Sequence, residues 1–581
     1  MKRTTGMMMI LAALAACSAG DNYDDDYGFY GMPGGGDMLG GSGTVTAGSG
    51  ELAEFTVDID RTTAEPQSTA TPCYDDATED PLTENTFGTR VSIDLSNPTA
   101  KTENGVEVTV NGGHITANHG TQKGICYVLT GSTDNGSFTV VGDKKYEVLM
   151  TDVSITNPDS AALNLLSGKR AFIVTAGTNK ITDGTTSMNS HKGALYCKGK
   201  LLFNGDGKLE VYGNYNNAIH SADYIVIEKG TNIYAKSTQN HGIKANDGIY
   251  INGGIVNVEV SAAAAKGINC ESNIVVSGGR TTVVTTGNGT YDTEDREAKG
   301  SAGIKCDSTF TMYGGEVFLR STGSGGKGIS SDSICHIKGG TVRIITTGGQ
   351  YSSNGDTASP KGIKADNNVV IDGGTVMVRT SGNNGEGIES KNQLIVNGGT
   401  VMVAANDDAF NSASDMHING GNIIAIGSNS DGLDANGNMY ISGGNIVAYG
   451  AGGAESGIDV GEQSKLYITG GNIFGIGGRT DCTIGSTTQG ILSASGSATA
   501  NGTVSVSNGS TALAIFTMPP YSTSGTVMVS CPGLASGTSY TLTTGSGSQT
   551  VTASTSVSGM GGMGGGMGGG PTGPGRPGGG W

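Results

Sequence analysis

The stretch Lys361-Gly362-Ile363-Lys364-Ala365-Asp366, with Val369-Val370-Ile371-Asp372-Gly373-Gly374-Thr375-Val376-Met377-Val378 after it, decides the fold. Apolar and polar residues tend to alternate, and Val, Ile and Thr are frequent, so the period is that of a strand. The glycines supply the positive φ that tight corners require. The same unit recurs along the chain. Double glycines follow a short apolar run at Gly253, Gly278, Gly314, Gly339, Gly373, Gly398, Gly420, Gly443 and Gly470. A second marker, a small residue before a large apolar one, recurs out of phase at Ala218, Gly242, Gly267, Gly303, Gly328, Gly362, Gly387, Ala409, Gly432 and Gly457. Both series repeat at roughly 25 residues, and both carry two longer intervals at the same places, a coincidence that chance explains poorly.

Two or three short strands per unit, with no helical period, predict one rung of a single-stranded parallel β-helix, an all-β solenoid. Equivalent residues then stack about 4.8 Å apart along the axis. Ile243, Ile268, Ile304, Ile329, Ile363, Ile388, Phe410, Leu433 and Ile458 are expected to form one inward ladder. Cys270 and Cys306 fall at one position of successive rungs and read as stacked core thiols rather than a redox pair.

The composition agrees. Of 581 residues, 101 are glycine and 13 proline, which excludes a proline-rich linker protein, and the glycine lacks collagen's strict period. Apolar residues reach only 35% and aromatics 6%. That is lean for an ordinary globular core but sufficient where each layer needs few inward residues. The formal net charge of -18 repels nucleic acid and anionic membranes.

Residues 1–17 read as an export signal: Lys2 and Arg3, then Met7 to Ala13, then Leu14-Ala15-Ala16-Cys17, which matches the bacterial lipobox. Cys17 is expected to carry the lipid; a plain secretory signal is the alternative. Residues 18–50 are acidic and glycine-rich and read as a flexible tether. Their acidic cluster resembles a surface-export signal of some Gram-negative gut bacteria. This predicts an outer-membrane lipoprotein exposed on the cell surface, with the membrane contacted by the lipid anchor alone. Residues 51–105 read as an N-terminal strand region and cap, 106–483 as the β-helix, 484–556 as terminal rungs and cap, and 557–581 as a disordered Gly/Met-rich tail. The remaining cysteines lack zinc-site spacing.

The rungs, together with Tyr127-Val128-Leu129-Thr130-Gly131, Val153-Ser154-Ile155-Thr156-Asn157, Ser160-Ala161-Ala162-Leu163-Asn164, Thr178-Asn179-Lys180-Ile181-Thr182-Asp183-Gly184, Lys192-Gly193-Ala194-Leu195 and Ser539-Tyr540-Thr541-Leu542, resemble the bacterial carbohydrate-binding β-helix family, whose fold is like that of pectate lyases. The resemblance covers roughly residues 88–550. It implies a right-handed β-helix, bound calcium, and binding of cellulosic or pectic polysaccharide without cleavage. The chain departs from the family's pattern after Gly287, after Gly348 and in the tail, which puts the exact glycan in doubt.

Two outward columns carry candidate chemistry. The residue after the inward ladder runs His220, Lys244, Asn269, Lys305, Ser330, Lys364, Glu389, Asn411, Asp434, Asp459. The residue before the small one runs Asn217, His241, Lys266, Ala302, Lys327, Lys361, Glu386, Asp408, Asp431, Ser456. Both lean basic early and turn acidic at the same rung. Lys244, Lys266, Lys305, Lys327, Lys361 and Lys364 form a strip suited to uronic-acid carboxylates. The alternative is pairing with Glu271, Asp307, Asp332 and Asp366, two residues further along the rungs. Like charges about 5 Å apart repel by roughly 1 kcal/mol even in water. A calcium ion, which takes about six to eight oxygens, would relieve that among Glu386, Glu389, Asp407, Asp408, Asp431, Asp434 and Asp459. A solvated acidic face is the other reading, and the family resemblance favours calcium.

The long intervals read as loop insertions at one corner, Gly287 to Gly300 and Gly348 to Pro360. Tyr291 and Tyr351 on them are candidates to stack on sugar rings, against ordinary loop tyrosines. A monomer that binds polysaccharide, favouring acidic glycans, is the first reading. A calcium-dependent polysaccharide lyase on the same scaffold and an adhesive or structural surface protein are the alternatives, and the sequence leaves the question of enzymatic activity open.

Overall fold

The computed structural model of the chain describes residues 43–45, 55–68, 70, 82–187, 190–478 and 482–555. The expected signal with Cys17, most of the tether and the tail from 557 onward lie outside the described residues. The fold is a β-solenoid of about 14 turns, about 25 residues per turn. Its only helical element among the described residues is a single 3-10 turn, Leu82–Glu84. No described helix is long and apolar enough to cross a membrane.

Three sheets of 16 strands each run along the axis. In the rung spanning 361–380, Lys361–Ala365 lies in sheet 1, Val369–Ile371 in sheet 2 and Thr375–Thr380 in sheet 3. Each strand pairs in parallel with its equivalents one rung away, so Ile363 stands between Ile329 and Ile388. The expected inward ladder is present from Ile243 to Ile458 and extends back through Ile219, Leu195, Leu163 and Phe138 to Ile115. All of these side chains are buried in one continuous core.

The two sequence markers have separate physical causes. The second glycine of each double glycine turns the chain from sheet 2 into sheet 3 with positive φ, +78° at Gly374 and +85° at Gly399. The small residue of the other marker is needed because sheet 3 approaches sheet 1 closely. A Cβ at Gly362 would lie 2.2 Å from Val378 Cγ1. Cys270 and Cys306 are register partners, buried and unbridged, as stacked core thiols should be. Burial pushes their thiols up to about 12 and about 11.

Antiparallel strands close both ends. Lys101–Glu103, Val106–Asn111 and Gly113–Asn118 form a meander at the start of sheet 1. Thr523–Ser530 pairs antiparallel with Asn472–Gly477 and Ile491–Ala498 at the end of sheet 3. Such caps remove the exposed edge of an open solenoid. The C-terminal strands pack on the outward side of sheet 3, burying Met402, Ile424, Val447 and Phe474 with Phe516 and Leu542.

An N-terminal strap, residues 55–68, lies along the outside of the coils. Phe55 and Val57 join the cluster with Met377 and Met402. Asp58 pairs with Arg320 at 3.0 Å. Further along, the Glu65 carboxylate accepts the backbone N–H groups of Gly230 and Gly254 at 2.8 and 2.7 Å.

Candidate functional site

In sheet 1 the small residue and the ladder residue after it both face the core, so the residues flanking that pair lie outside, and the parallel register stacks them. The first outward column is continuous from His220 through Lys244, Asn269, Lys305, Ser330, Lys364, Glu389, Asn411 and Asp434 to Asp459. In the second column Lys266, Ala302, Lys327, Lys361 and Glu386 follow one another rung by rung. The change of sign falls between Lys361 and Glu386 and between Lys364 and Glu389.

Most of the strip lysines are ion-paired. Lys244 meets Glu271 at 2.8 Å. Lys305 meets Asp307 at 2.8 Å and Asp332 at 2.6 Å. Lys364 pairs with Asp366. Lys361, buried, meets Glu386 at 2.6 Å and Glu389 at 3.2 Å. Lys266 and Lys327 differ, because neither meets a carboxylate among the described residues. The Lys266 ammonium donates to the carbonyls of Ala264 and Gly300 at 2.6 and 2.5 Å. Burial, followed by repulsion from neighbouring lysines, lowers Lys266 to about 7 and Lys327 to about 8.

The acidic residues divide into two groups. Glu386 and Glu389 belong to the ion-pair network with Lys361, which Lys391 joins through Glu389. Burial raises Glu386 to about 7 in spite of Lys361. Burial also pushes Glu389 up, but Lys361 and Lys391 outweigh it and hold its carboxyl below the ordinary glutamate value. Each of these glutamates keeps one buried carboxylate oxygen without a hydrogen bond, Glu386 Oε2 and Glu389 Oε2.

The second group lies further along. Asp431, Asp434 and Asp459 can each offer one oxygen, all within 4.8 Å of one another. Burial and then the surrounding carboxylates raise Asp434 to about 7. Burial likewise raises Asp431 to about 8, even though Asp431 Oδ1 accepts the Ser456 N–H at 2.5 Å. Asp408 is committed to structure: Oδ1 accepts the Asp431 N–H at 3.0 Å and Oδ2 accepts Asn411 Nδ2 at 3.0 Å. Asp407 is half-buried beside it, and burial pushes it up. The carbonyls of Gly432 and Gly457 accept the backbone N–H groups of Phe410 and Leu433.

The two insertions are hairpins that connect sheet 3 to sheet 1. Thr290–Asp292 pairs with Glu297–Lys299, and Tyr351–Ser353 with Asp356–Ala358. They pack on each other: the Ala298 N–H donates to Asp356 Oδ2 at 2.7 Å. The Tyr351 ring lies against Gly289, where a Cβ would come within 2.6 Å of it. Tyr351 therefore joins the two hairpins, while Tyr291 sits half-exposed in the first strand. The first hairpin overhangs sheet 1 and encloses an open groove of about 680 Å³.

This solenoid with a long charged face is matched by the sequence profile of the carbohydrate-binding domain-containing protein family over residues 111–264, 322–409 and 381–518, together more than half of the chain. The chain belongs to that family. Among solved structures, the polysaccharide lyase-like protein from C. thermocellum, as a gadolinium derivative, is similar at 16% identity with a TM-score of 0.28, over 53% of this chain and 96% of that one. A likeness that weak adds nothing to the fold already described. No curated protein matches the sequence. Within this carbohydrate-binding chain the family match stops at 264 and resumes at 322, so it assigns nothing to the first hairpin, Lys266 or Lys305.

Sheet 2 carries an aromatic stack outside the expected site residues. His417, Tyr440 and Tyr467 are register partners whose rings stack at 4.8 Å with 8° between planes. Their common spacing after each inward residue was the available signal. The ring faces are used on one another, so the stack presents edges and hydroxyls outward.

Proposed function

We propose that this chain is a surface-anchored polysaccharide-binding protein that contains calcium and favours acidic, uronic-acid glycans. Family membership supports the carbohydrate part of the reading, and the stacked polar columns of sheet 1 are the face to which the proposal assigns binding. A long, shallow face with repeated polar positions suits a chain-like ligand, because many weak contacts in a row give avidity without a deep pocket. The anchor at Cys17 and the cell-surface location rest on the amino-terminal sequence.

The donor set fits calcium. Asp431, Asp434 and Asp459 present only oxygens, and their mutual spacing is within the span of two calcium–oxygen bonds of about 2.3–2.6 Å. The chain's own carboxylates fall short of the six to eight oxygens the ion takes, and water or a sugar carboxylate would complete the shell. The ion would hold Asp431 and Asp434 ionised at neutral pH and neutralise a face where carboxylates crowd. Glu386 and Glu389 serve this site less directly, since Lys361 and Lys391 already pair with them.

Retention of the chain on immobilised polygalacturonate and on neutral glucans, with calcium and with chelator, tests the proposal. One observation favours a second reading: Lys266 and Lys327 are lysines lowered to about 7 and about 8, the range of a general base. A lyase would release unsaturated uronides, whose ultraviolet absorbance can be read in the same samples.

A further inference from the structure

The groove under the first hairpin is lined by five lysines and five carboxylates, and their pairing is uneven. On the hairpin, Lys299 meets Asp292 at 2.8 Å, Asp295 at 2.5 Å and Glu297 at 3.4 Å. On sheet 1, Lys305 is held by Asp307 and Asp332, and Lys364 by Asp366. Every carboxylate that lines the groove is thereby matched to a lysine. His241, on the preceding rung, accepts the Lys266 backbone N–H through Nδ1, and burial followed by repulsion from Lys266 lowers it to about 3, so it adds no charge. Two lysines, Lys266 and Lys327, are left without an ion pair among the described residues, although the lining as a whole carries no excess positive charge.

Their spacing leaves room between them. Lys266 and Lys327 stand on either side of Ala302 in the same register line. In the neighbouring column Ser330 stands between Lys305 and Lys364. Two small residues therefore floor a slot two rungs tall, about 10 Å at the inter-strand spacing. The hairpin roofs the slot, and the Lys266 ammonium ties the hairpin base at Gly300 to the turn at Ala264. The Lys327 ammonium, half-buried, makes no hydrogen bond among the described residues.

We propose that this slot is a discrete subsite, with Lys327 at its centre and Lys266 at its rim, that holds the anionic substituent of one sugar residue, a carboxylate or a sulfate ester. The inference rests on the reading of the chain as a binder of acidic glycans and narrows it from a long strip to one place. The other strip lysines already hold carboxylates of their own chain, and a ligand would have to displace those. At Lys327 a ligand anion gains an unshared ammonium in a partly desolvated groove, where a charge-assisted hydrogen bond is strongest.

The test uses the full chain with three probes of equal length: trigalacturonate, a sulfated neutral trisaccharide, and cellotriose. Calorimetric titration is expected to show binding of at least one charged probe and to identify which anion the slot takes. Lys327→Met is expected to weaken that binding about ten- to a hundredfold, the loss of one hydrogen bond to a charged group. Lys236→Met, on sheet 3, leaves it unchanged. A second readout needs no variant: limited acetylation near pH 8, mapped by mass spectrometry, with and without probe. Protection of Lys327 and Lys266 by a charged probe, and not by cellotriose, supports the subsite. Retention on polygalacturonate with unaltered Lys327→Met affinity and no protection would overturn the subsite and leave the broader reading standing. Failure of the chain to retain any acidic polysaccharide would overturn the broader reading. Protection by the sulfated trisaccharide would then still support the slot, and its absence would overturn that too.

Discussion

Lys364 and Glu389 are register partners on the outward side of sheet 1, and the face changes sign between them. One rung-to-rung step separates a basic column, largely satisfied by acids of its own and the next rung, from an acidic column. In the proposed function, cations bind on the far side of that step and anions on the near side.

If calcium bridges the acidic rungs, adding it to chelator-treated chain should raise the melting temperature by several degrees, by mass action on the folded state. Asp434→Asn is expected to abolish most of that rise. It should also make the calcium-free chain slightly more stable, because one repelling carboxylate is gone. Differential scanning calorimetry with and without calcium checks both halves.

The groove lysines predict a pH effect of opposite sign to ordinary alkaline destabilisation. Lys266 and Lys327 are lowered to about 7 and about 8, whereas an unfolded lysine titrates near 10.4. Between those values the unfolded chain binds more protons than the folded one, so these residues make stability rise with pH. From pH 7 to pH 9 the melting temperature of the wild type should gain on that of Lys327→Met. A constant difference across that window contradicts the assignment.

The close approach of sheets 1 and 3 can be tested at Gly362. Gly362→Ala drives a methyl to 2.2 Å from Val378 Cγ1. Overpacking of a tight core costs about 1–3 kcal/mol, read as a lower denaturant midpoint. Adding Val378→Ala should not restore the midpoint, because the same methyl also lies 2.5 Å from the Gly387 carbonyl oxygen of the next rung.

The strap makes a separate prediction. Removing the carboxylate in Glu65→Ala leaves the Gly230 and Gly254 N–H groups without their acceptor. Gly254 is buried and Gly230 exposed to water, so the loss expected is that of one buried donor, about 1–3 kcal/mol. Faster proteolytic cleavage within residues 55–68, with the coils intact, is the expected signature.

The solenoid was legible because its two markers report two independent constraints, a positive-φ corner at Gly374 and a tight inter-sheet contact at Gly362. Register followed from the inward ladder, and with it the composition of both outward columns. The sequence left open which lysines find partners. That depends on side-chain reach: Lys305 spans to Asp307 on its own rung and to Asp332 on the next, whereas Lys327 finds no acid within reach. The hairpins were visible as insertions, but their packing through Tyr351 and Gly289 depends on loop paths that no period encodes. The strap was invisible for a similar reason, since Glu65 meets Gly230 across 165 positions of non-repeating sequence.

The most direct test is retention of the chain on polygalacturonate in calcium, compared with chelator and with neutral glucan. A calcium-containing binder of acidic glycans is expected to be retained strongly on polygalacturonate in calcium, to lose that retention in chelator and in Asp434→Asn, and to be retained weakly on neutral glucan. Equal retention on both glycans irrespective of calcium would contradict that reading, as would none on either.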